Sequence, residues 1–478
     1  TVFAQTNAGI VSGTVTDPTG AAIVGADVRA VAGGTGVITQ AQTTESGDYL
    51  LNFLLPGTYT VEVQKEGFQK AVTSGATVTA GGSIRINASL VVGKVTEVVQ
   101  VTVNAIAVAT ETSELSQTFS YKDLDSLPNI DRNPLYQLNL MPGANNDAGS
   151  GNFGNNGNEN GSAVGQTRPQ LASLGGVDAN ANSVYIEGIF NREPQNAYIG
   201  LTPPIEGIQE VQVYTGKYNA EFGFSGSAVV NIVTKSGTNK YHGSVFEFLR
   251  NNATDSRNYF ATETTPFQYN QFGGSFGGPV LQSKLFFFAD YQGTRLHQSA
   301  PGFTTAPTAK MIQGDFSELY DPTQANDTAG NTWGQLYDPF TRTFDSQTGQ
   351  VTGATPYQNN IIPQSQWDSA AAKMNAAKIF GVANLPGISN NLSYLGTTRQ
   401  SVNQGDGRLD YDLSQRHRVF FRYSILNSVT DNSTNINQFY QDWNADSLTW
   451  NQNLQLSDLF TFSATKMNEL RVGFSRSN

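Results

Sequence analysis

The chain has 478 residues, room for two or three domains, and carries a formal net charge of −11 with no basic patch, which excludes a surface that tracks nucleic-acid phosphates. It contains no cysteine, which excludes disulfides, thiolate catalysis and Cys-type zinc sites, and its strongest apolar run, Leu285 to Ala289, has five residues against the roughly 18 that a membrane-spanning helix needs. Charged residues are only 14%, against about 25% in soluble globular chains, while 48 glycines and 11% aromatics favour β structure with many turns.

Residues 1–8 read as the remnant of a removed export signal. The chain starts without Met, and Val2-Phe3-Ala4 before Gln5 has the small-residue spacing of a signal-peptidase site. Residues 9–92 predict an all-β sandwich, with turn signals every eight to twelve residues. Val11 to Thr16 alternates before the turn Asp17-Pro18-Thr19-Gly20, Ala26 to Ala32 alternates before Gly33-Gly34, Tyr59, Val61 and Val63 share a face, and Ser83 to Val91 closes the unit. Residues 93–103, "GKVTEVVQVTV", predict a β-branched strand with no local hairpin partner. In the stretch to Pro142-Gly143, Tyr121 to Leu124 and Pro134 to Leu138 are short helical candidates. The Asn/Gly-rich residues 144–166 bury too little apolar surface to offset ordering entropy and read as a loop. Strands are then predicted at "SVYIEGIF" (183–190) and "GIQEVQVYTG" (207–216).

From residue 240 the grammar changes to longer alternating strands. After the turn at Ser236 to Asn239, Phe246 and Phe248 share one face of the strand Lys240 to Arg250, and Val245, Glu247 and Leu249 the other. Leu285, Phe287, Ala289 and Tyr291 alternate with Phe288, Asp290 and Gln292; Val419, Phe421, Tyr423 and Ile425 with Arg418, Arg422 and Ser424; Leu470, Val472 and Phe474 with Glu469, Arg471 and Ser475. One such strand also fits a soluble sandwich with one wet face. Recurrence together with low charge points instead to a membrane barrel, apolar outward and polar inward. On that reading Phe246 and Phe248 face lipid and Glu247 the lumen. Residues near 298–400 form a long extracellular loop, with one helical candidate at Gln366 to Phe380.

"VSGTVTDPTGAAIVGADVRA", "TTESGDYLLNFLLPGTYTVEVQKEGF" and "IRINASL" resemble the carboxypeptidase regulatory-like domain, a small noncatalytic sandwich of transthyretin or Ig-like type. Ile208, Val211, Val213, Gly216, Tyr218, Phe222, Gly223 and the closing Asn231-Ile232-Val233-Thr234-Lys235 resemble the plug of TonB-dependent outer-membrane receptors, in particular the Oar-like group, which joins such a domain, a plug and a barrel in that order. The resemblance implies a mainly β chain: sandwich 9–92, α+β plug 104–239, and antiparallel transmembrane barrel strands from 240 to 478. Such barrels have about 22 strands of about 10 residues each, so the barrel is expected to be incomplete in this chain. Gln209 and Gln212 stand where the family often has Glu, and Glu187-Gly188 where it has Asp-Gly, so these neutral amides predict a weakened charge lock between plug and wall.

The resemblance also implies a place in the outer membrane of a Gram-negative-type bacterium, with the N-terminal domain in the periplasm. Its partners would be lipid, an unidentified extracellular ligand and a TonB-type inner-membrane energy-coupling complex, and not nucleic acid. Glu97, Val98, Val99, Gln100, Val101 and Thr102 resemble a TonB box; the same residues also fit an eighth sandwich strand. An Oar-like structural or adhesion protein without transport is the alternative function. No catalytic residue, cofactor or metal is expected: His242, His297 and His417 lie at no ligand or triad spacing, and no G-x-S-x-G or H-E-x-x-H occurs. Residues 151–161 and 321–331 are oxygen-rich but lack the carboxylate spacing of a calcium loop. Arg168 is a weak ligand candidate, placed to meet an anionic group.

Overall fold

The computed structural model describes residues 8–93, 98–102, 115–127, 132–145, 173–174, 181–193, 199–215, 225–257, 264–320, 334–377, 379–434, 447–463 and 466–477, with Tyr218 and Phe222. The N-terminal strands are β1 (Gly9–Thr16), β2 (Asp27–Ala32), β3 (Ile38–Gln42), β4 (Asp48–Leu54), β5 (Gly57–Gln64), β6 (Lys70–Val78), β7 (Ser83–Arg85), β8 (Ala88–Ser89) and β9 (Val98–Thr102). They form two sheets, β4-β1-β7 with β8 also on β1, and β3-β2-β5-β6-β9. Alternation delivers one face of each to a shared core that includes Val11, Val15, Val28, Leu51, Val61 and Val63. Gly13 is required where the sheets close, because a Cβ there would stand 1.9 Å from the Ile86 carbonyl oxygen.

One expectation changes here. The closing segment is two short strands parallel to β1 rather than one, since the Asn87 side chain accepts from the Thr14 amide at 3.0 Å and interrupts the ladder. The segment without a local hairpin partner adds to the sandwich, as its alternative reading had it: β9 lies parallel to β6, from Lys70 opposite Val98 to Ser74 opposite Thr102, at the end of its sheet among the described residues.

The middle of the chain supplies β10 (Ser116–Ser120), β11 (Ala144–Asn145), β12 (Ser173–Leu174), β13 (Ser183–Ile186), β14 (Ile189–Phe190), β15 (Ile208–Thr215) and β16 (Ala228–Thr234). Helix α1 (Tyr121–Ser126) starts from a capping box in which Ser120 and Asp123 satisfy each other's backbone donors. Pro134–Leu140 is a 3-10 turn. The main sheet runs β10-β15-β16-β13-β14, and every residue of β16 is buried, as befits a strand covered on both faces. "SVYIEGIF" is a hairpin rather than one strand, with Glu187 and Gly188 at positive φ (51° and 76°) in its turn.

The last part is a seven-stranded antiparallel wall of β17 (His242–Asn251), β18 (Phe267–Leu281), β19 (Leu285–Thr304), β22 (Leu392–Ser414), β23 (His417–Thr434), β24 (Ser447–Ser463) and β25 (Lys466–Arg476), with a small hairpin β20 (Thr343–Phe344) and β21 (Val351–Gly353) between β19 and β22. Because β19 and β22 pair up to Thr304 and Leu392, the long connection is 305–391, shorter than the sequence predicted. Within it, α2 (Ser369–Ala376) is capped by Asp368.

The wall has an inner face against the middle sheet. Phe286, Phe288, Asp290, Gln292 and Thr294 of β19 and Arg422 and Ser424 of β23 are buried there, and Val402 and Leu426 join the core of the middle sheet. The outer face carries Leu285, Phe287, Ala289 and Tyr291, then Val419, Phe421, Tyr423 and Ile425, then Leu470, Val472 and Phe474, in the predicted register.

Strand β17 is the exception. Phe246 is paired to Gly273 and on to Gln292, and Phe248 to Gln271 and on to Thr294, all facing inward. Opposed residues of a ladder point the same way, so the two aromatics face the middle sheet, and Glu247 lies outward with Val245 and Leu249. Both faces of this strand are largely apolar, so its period did not tell inside from outside. The inner side there is capped by the Arg132 guanidinium, 4.8 and 4.7 Å from the two ring centroids.

Candidate functional site

The residues that carry chemistry converge where the middle sheet meets the wall. Turn residue Glu187 is held by its own sheet, since its Oε1 accepts from both the amide and the hydroxyl of Thr234 at 2.8 Å. Arg408 of β22 reaches the same oxygen with Nη1 at 2.5 Å and donates to the Thr234 hydroxyl at 2.9 Å. The rest of the guanidinium forks onto Asp410 at 2.8 and 2.9 Å, and Asp410 also accepts from the Ser236 hydroxyl at 2.7 Å. Burial opposes charge on Glu187, but Arg408 and the two Thr234 donors outweigh it and hold the carboxyl below its ordinary range. A charge lock is therefore present despite the neutral Gln209 and Gln212, and it uses Glu187 and a wall arginine that the sequence did not single out.

Further contacts extend this seam. Arg132 pairs with Glu206 and lies 3.7 Å from Asp125. The Lys235 ammonium stands 3.1 Å from the Tyr121 ring centroid, and burial, partly offset by Glu206, brings its pKa down to about 8. Asp406 of the wall accepts from Ser424, whose hydroxyl also accepts from Arg422 Nη1 at 2.5 Å. The facing Asp290 approaches Gly207 so closely that a Cβ there would lie 2.2 Å from its carboxylate. Gln455 donates to the Glu187 carbonyl at 3.0 Å, and Asn451 to that of Gly200. At the edge of the seam, sandwich, middle sheet and wall enclose a cavity of about 290 Å³ lined by Gly34, Thr58, Thr234, Arg408 and Arg418 among others.

Of the predicted motif, Ile208, Val211 and Val213 enter the core of the middle sheet with Ile232. Asn231, Val233 and Thr234 continue on β16, and Lys235 follows it. Tyr218 and Phe222 meet edge to face at 6.2 Å, and the Tyr218 hydroxyl donates to the Ser225 carbonyl at 2.8 Å. Gly216, Gly223, Glu97, Arg168 and the two oxygen-rich stretches lie outside the described residues. Val98 to Thr102 are in β9, far along the chain from the seam. His417 is bonded to Asp458 at 2.5 Å, whereas His242 contacts Thr238 and the Lys240 carbonyl. The signal that marked the lock was a buried-face arginine flanked by aspartates, "GDGRLDYD", whose partner is 221 residues away.

Residues 233–478 match the family described as outer membrane beta barrel domain. The chain belongs to that family. Residues 10–91 match the carboxypeptidase regulatory-like domain. This barrel chain is 29% identical over 336 residues to the TonB-dependent transporter Oar of Myxococcus xanthus, covering 63% of this chain and 27% of that protein, so it spans about a quarter of that relative's length. Among solved structures it is similar to the outer membrane transporter YddB of Escherichia coli, at 12% identity and TM-score 0.44, over 75% of this chain and 38% of that one. It is also similar to the ferric enterobactin receptor PfeA of Pseudomonas aeruginosa, at 12% identity and TM-score 0.39, over 76% and 41%. The barrel family places the chain in the Gram-negative outer membrane.

Proposed function

We propose that this chain is part of a TonB-dependent outer-membrane transporter, in which the middle sheet is a plug gating passage of an extracellular ligand through the barrel. The observation that carries the reading is the buried join of Glu187 to Arg408, which fastens a separate sheet to the inner face of a wall whose outer face is apolar. On this reading the N-terminal sandwich is periplasmic and the connection 305–391 extracellular. A TonB-type inner-membrane protein engages Val98 to Thr102, which among the described residues pair on one side only and so suit strand addition. In whole cells, receptor-dependent accumulation of ligand should stop when the proton gradient is dissipated. Accumulation that persists would reject energy coupling.

One observation favours a second reading, adhesion without transport: the connection exposes Tyr337, Phe340 and Phe344. Cells whose protein lacks residues 305–391 should then lose surface attachment, and cells with the intact protein should show no gradient-dependent accumulation; such accumulation would reject this second reading.

A further inference from the structure

The N-terminal sandwich does not hang free of the middle sheet. Its turn after β6, Thr79 to Gly82, lies on the face of β15 that carries Glu210, Gln212 and Tyr214. Both main-chain polar groups of one sandwich residue are captured there: the Ala80 amide donates to Glu210 Oε1 at 2.6 Å, and the Ala80 carbonyl accepts from Gln212 Nε2. Gln212 is itself oriented by the Tyr214 hydroxyl at 3.2 Å. The approach is so close that a Cβ on Gly81, which sits at φ 61°, would stand 3.1 Å from the Tyr214 oxygen. A second tie joins sandwich and wall, since the Asn239 amide donates to the Gly34 carbonyl at 2.9 Å while its side-chain oxygen accepts from the Ser283 amide at 2.8 Å.

We propose that the sandwich is a restraint on the plug, gripping it through the main chain of Ala80, and that this clasp opens before the plug can loosen. The inference rests on the plug reading for its consequence, though not for the clasp itself. Strand β9, the candidate site of pull, pairs with residues 70–74 of β6, and the far end of β6 at Val78 leads straight into this turn, so force on β9 reaches the clasp along β6.

The clasp is also tied to protons. Burial, reinforced by the Glu187 carboxylate, pushes Glu210 up to about 7, and the Ala80 donor only partly offsets this. Its cross-strand neighbours Ser120 and Val233 are uncharged, as are Thr79 to Gly82. An acid raised from its ordinary 4.5 on docking stabilises the docked state fully below that value and loses the contribution as pH rises toward 7. The undocking constant should rise roughly fortyfold from pH 5 to pH 7 and level off above that.

Because the chain has no cysteine, spin labels at Glu45→Cys and Lys122→Cys, both exposed, report the distance from sandwich to plug in the full chain reconstituted in lipid nanodiscs. A second, longer distance should gain population between pH 5 and 7, and Glu210→Gln should abolish that pH dependence. Glu210→Ala with Gln212→Ala should undock the sandwich and raise amide exchange in β15 at least tenfold. One unchanged distance in every variant at every pH would overturn the clasp, and undocking without faster exchange in β15 would overturn the restraint. Gradient-independent accumulation in cells would reject energy coupling, and with it the pull on β9, while leaving a demonstrated clasp intact.

Discussion

Arg408 shares one guanidinium between carboxylates from two units, Glu187 of the middle sheet and Asp410 of its own strand, all of them buried. Removing one partner of such a group strands uncompensated charge, at a cost of about 3–5 kcal/mol. Arg408→Ala should therefore raise hydrogen exchange in β16 sharply, because Thr234 loses its bond to Arg408 as well. Exchange at the wild-type level in that variant would show that the lock holds nothing. The same site sets a pH response. Glu187 is held below its ordinary 4.5, so its contribution is present above that pH and lost as pH falls through its lowered value. Protection of β16 should decline on acidification below about pH 4.5 in wild type and decline less in Glu187→Gln, where only Asp410 still pairs with Arg408.

At the scale of elements, alternation was legible wherever ionic groups marked one face. On β23, Arg418 and Arg422 oppose Val419 to Ile425, and a midplane lipid position for either would cost about 2–4 kcal/mol, so the register reads directly. On β17 nothing comparable exists, and the partner that decides its inner face, Arg132, comes from a segment 114 residues earlier than Phe246. Nitroxide labels at Val245 and Leu249 should be accessible to lipid-dissolved oxygen, and a label at Phe246 should not; the opposite pattern would restore the sequence expectation. Strand β9 was legible as a strand, with a place in the sandwich as one of its two readings, but its partner β6 was not, because parallel pairing leaves no hairpin signature. If β9 is the coupling segment, Val99→Pro, which removes a ladder donor, should weaken binding of the coupling protein's periplasmic domain. Undiminished binding would eliminate the segment.

For the whole molecule, the sandwich was written in the turn spacing and the wall in the shift from short to long alternating strands, while the middle sheet as a unit between them came from the resemblance of Ile208 to Lys235 to a plug. The functional seam was not, since its pairs join residues far apart in sequence, as Glu187 with Arg408 and Ala80 with Glu210 do. What makes the parts one machine is the outer belt. Tyr291 and Arg295 both donate to Asn403 at 2.8 Å toward its loop side, His417 meets Asp458 toward the turns, and between them the outer face is apolar. Such a belt fits hydrocarbon bounded by water on both sides. A nitroxide scan of residues 418–425 in a bilayer tests this most directly. The account predicts a two-residue period, with oxygen access high at Val419, Phe421, Tyr423 and Ile425 and low at Arg418, Phe420, Arg422 and Ser424; uniformly low access along the strand would contradict it.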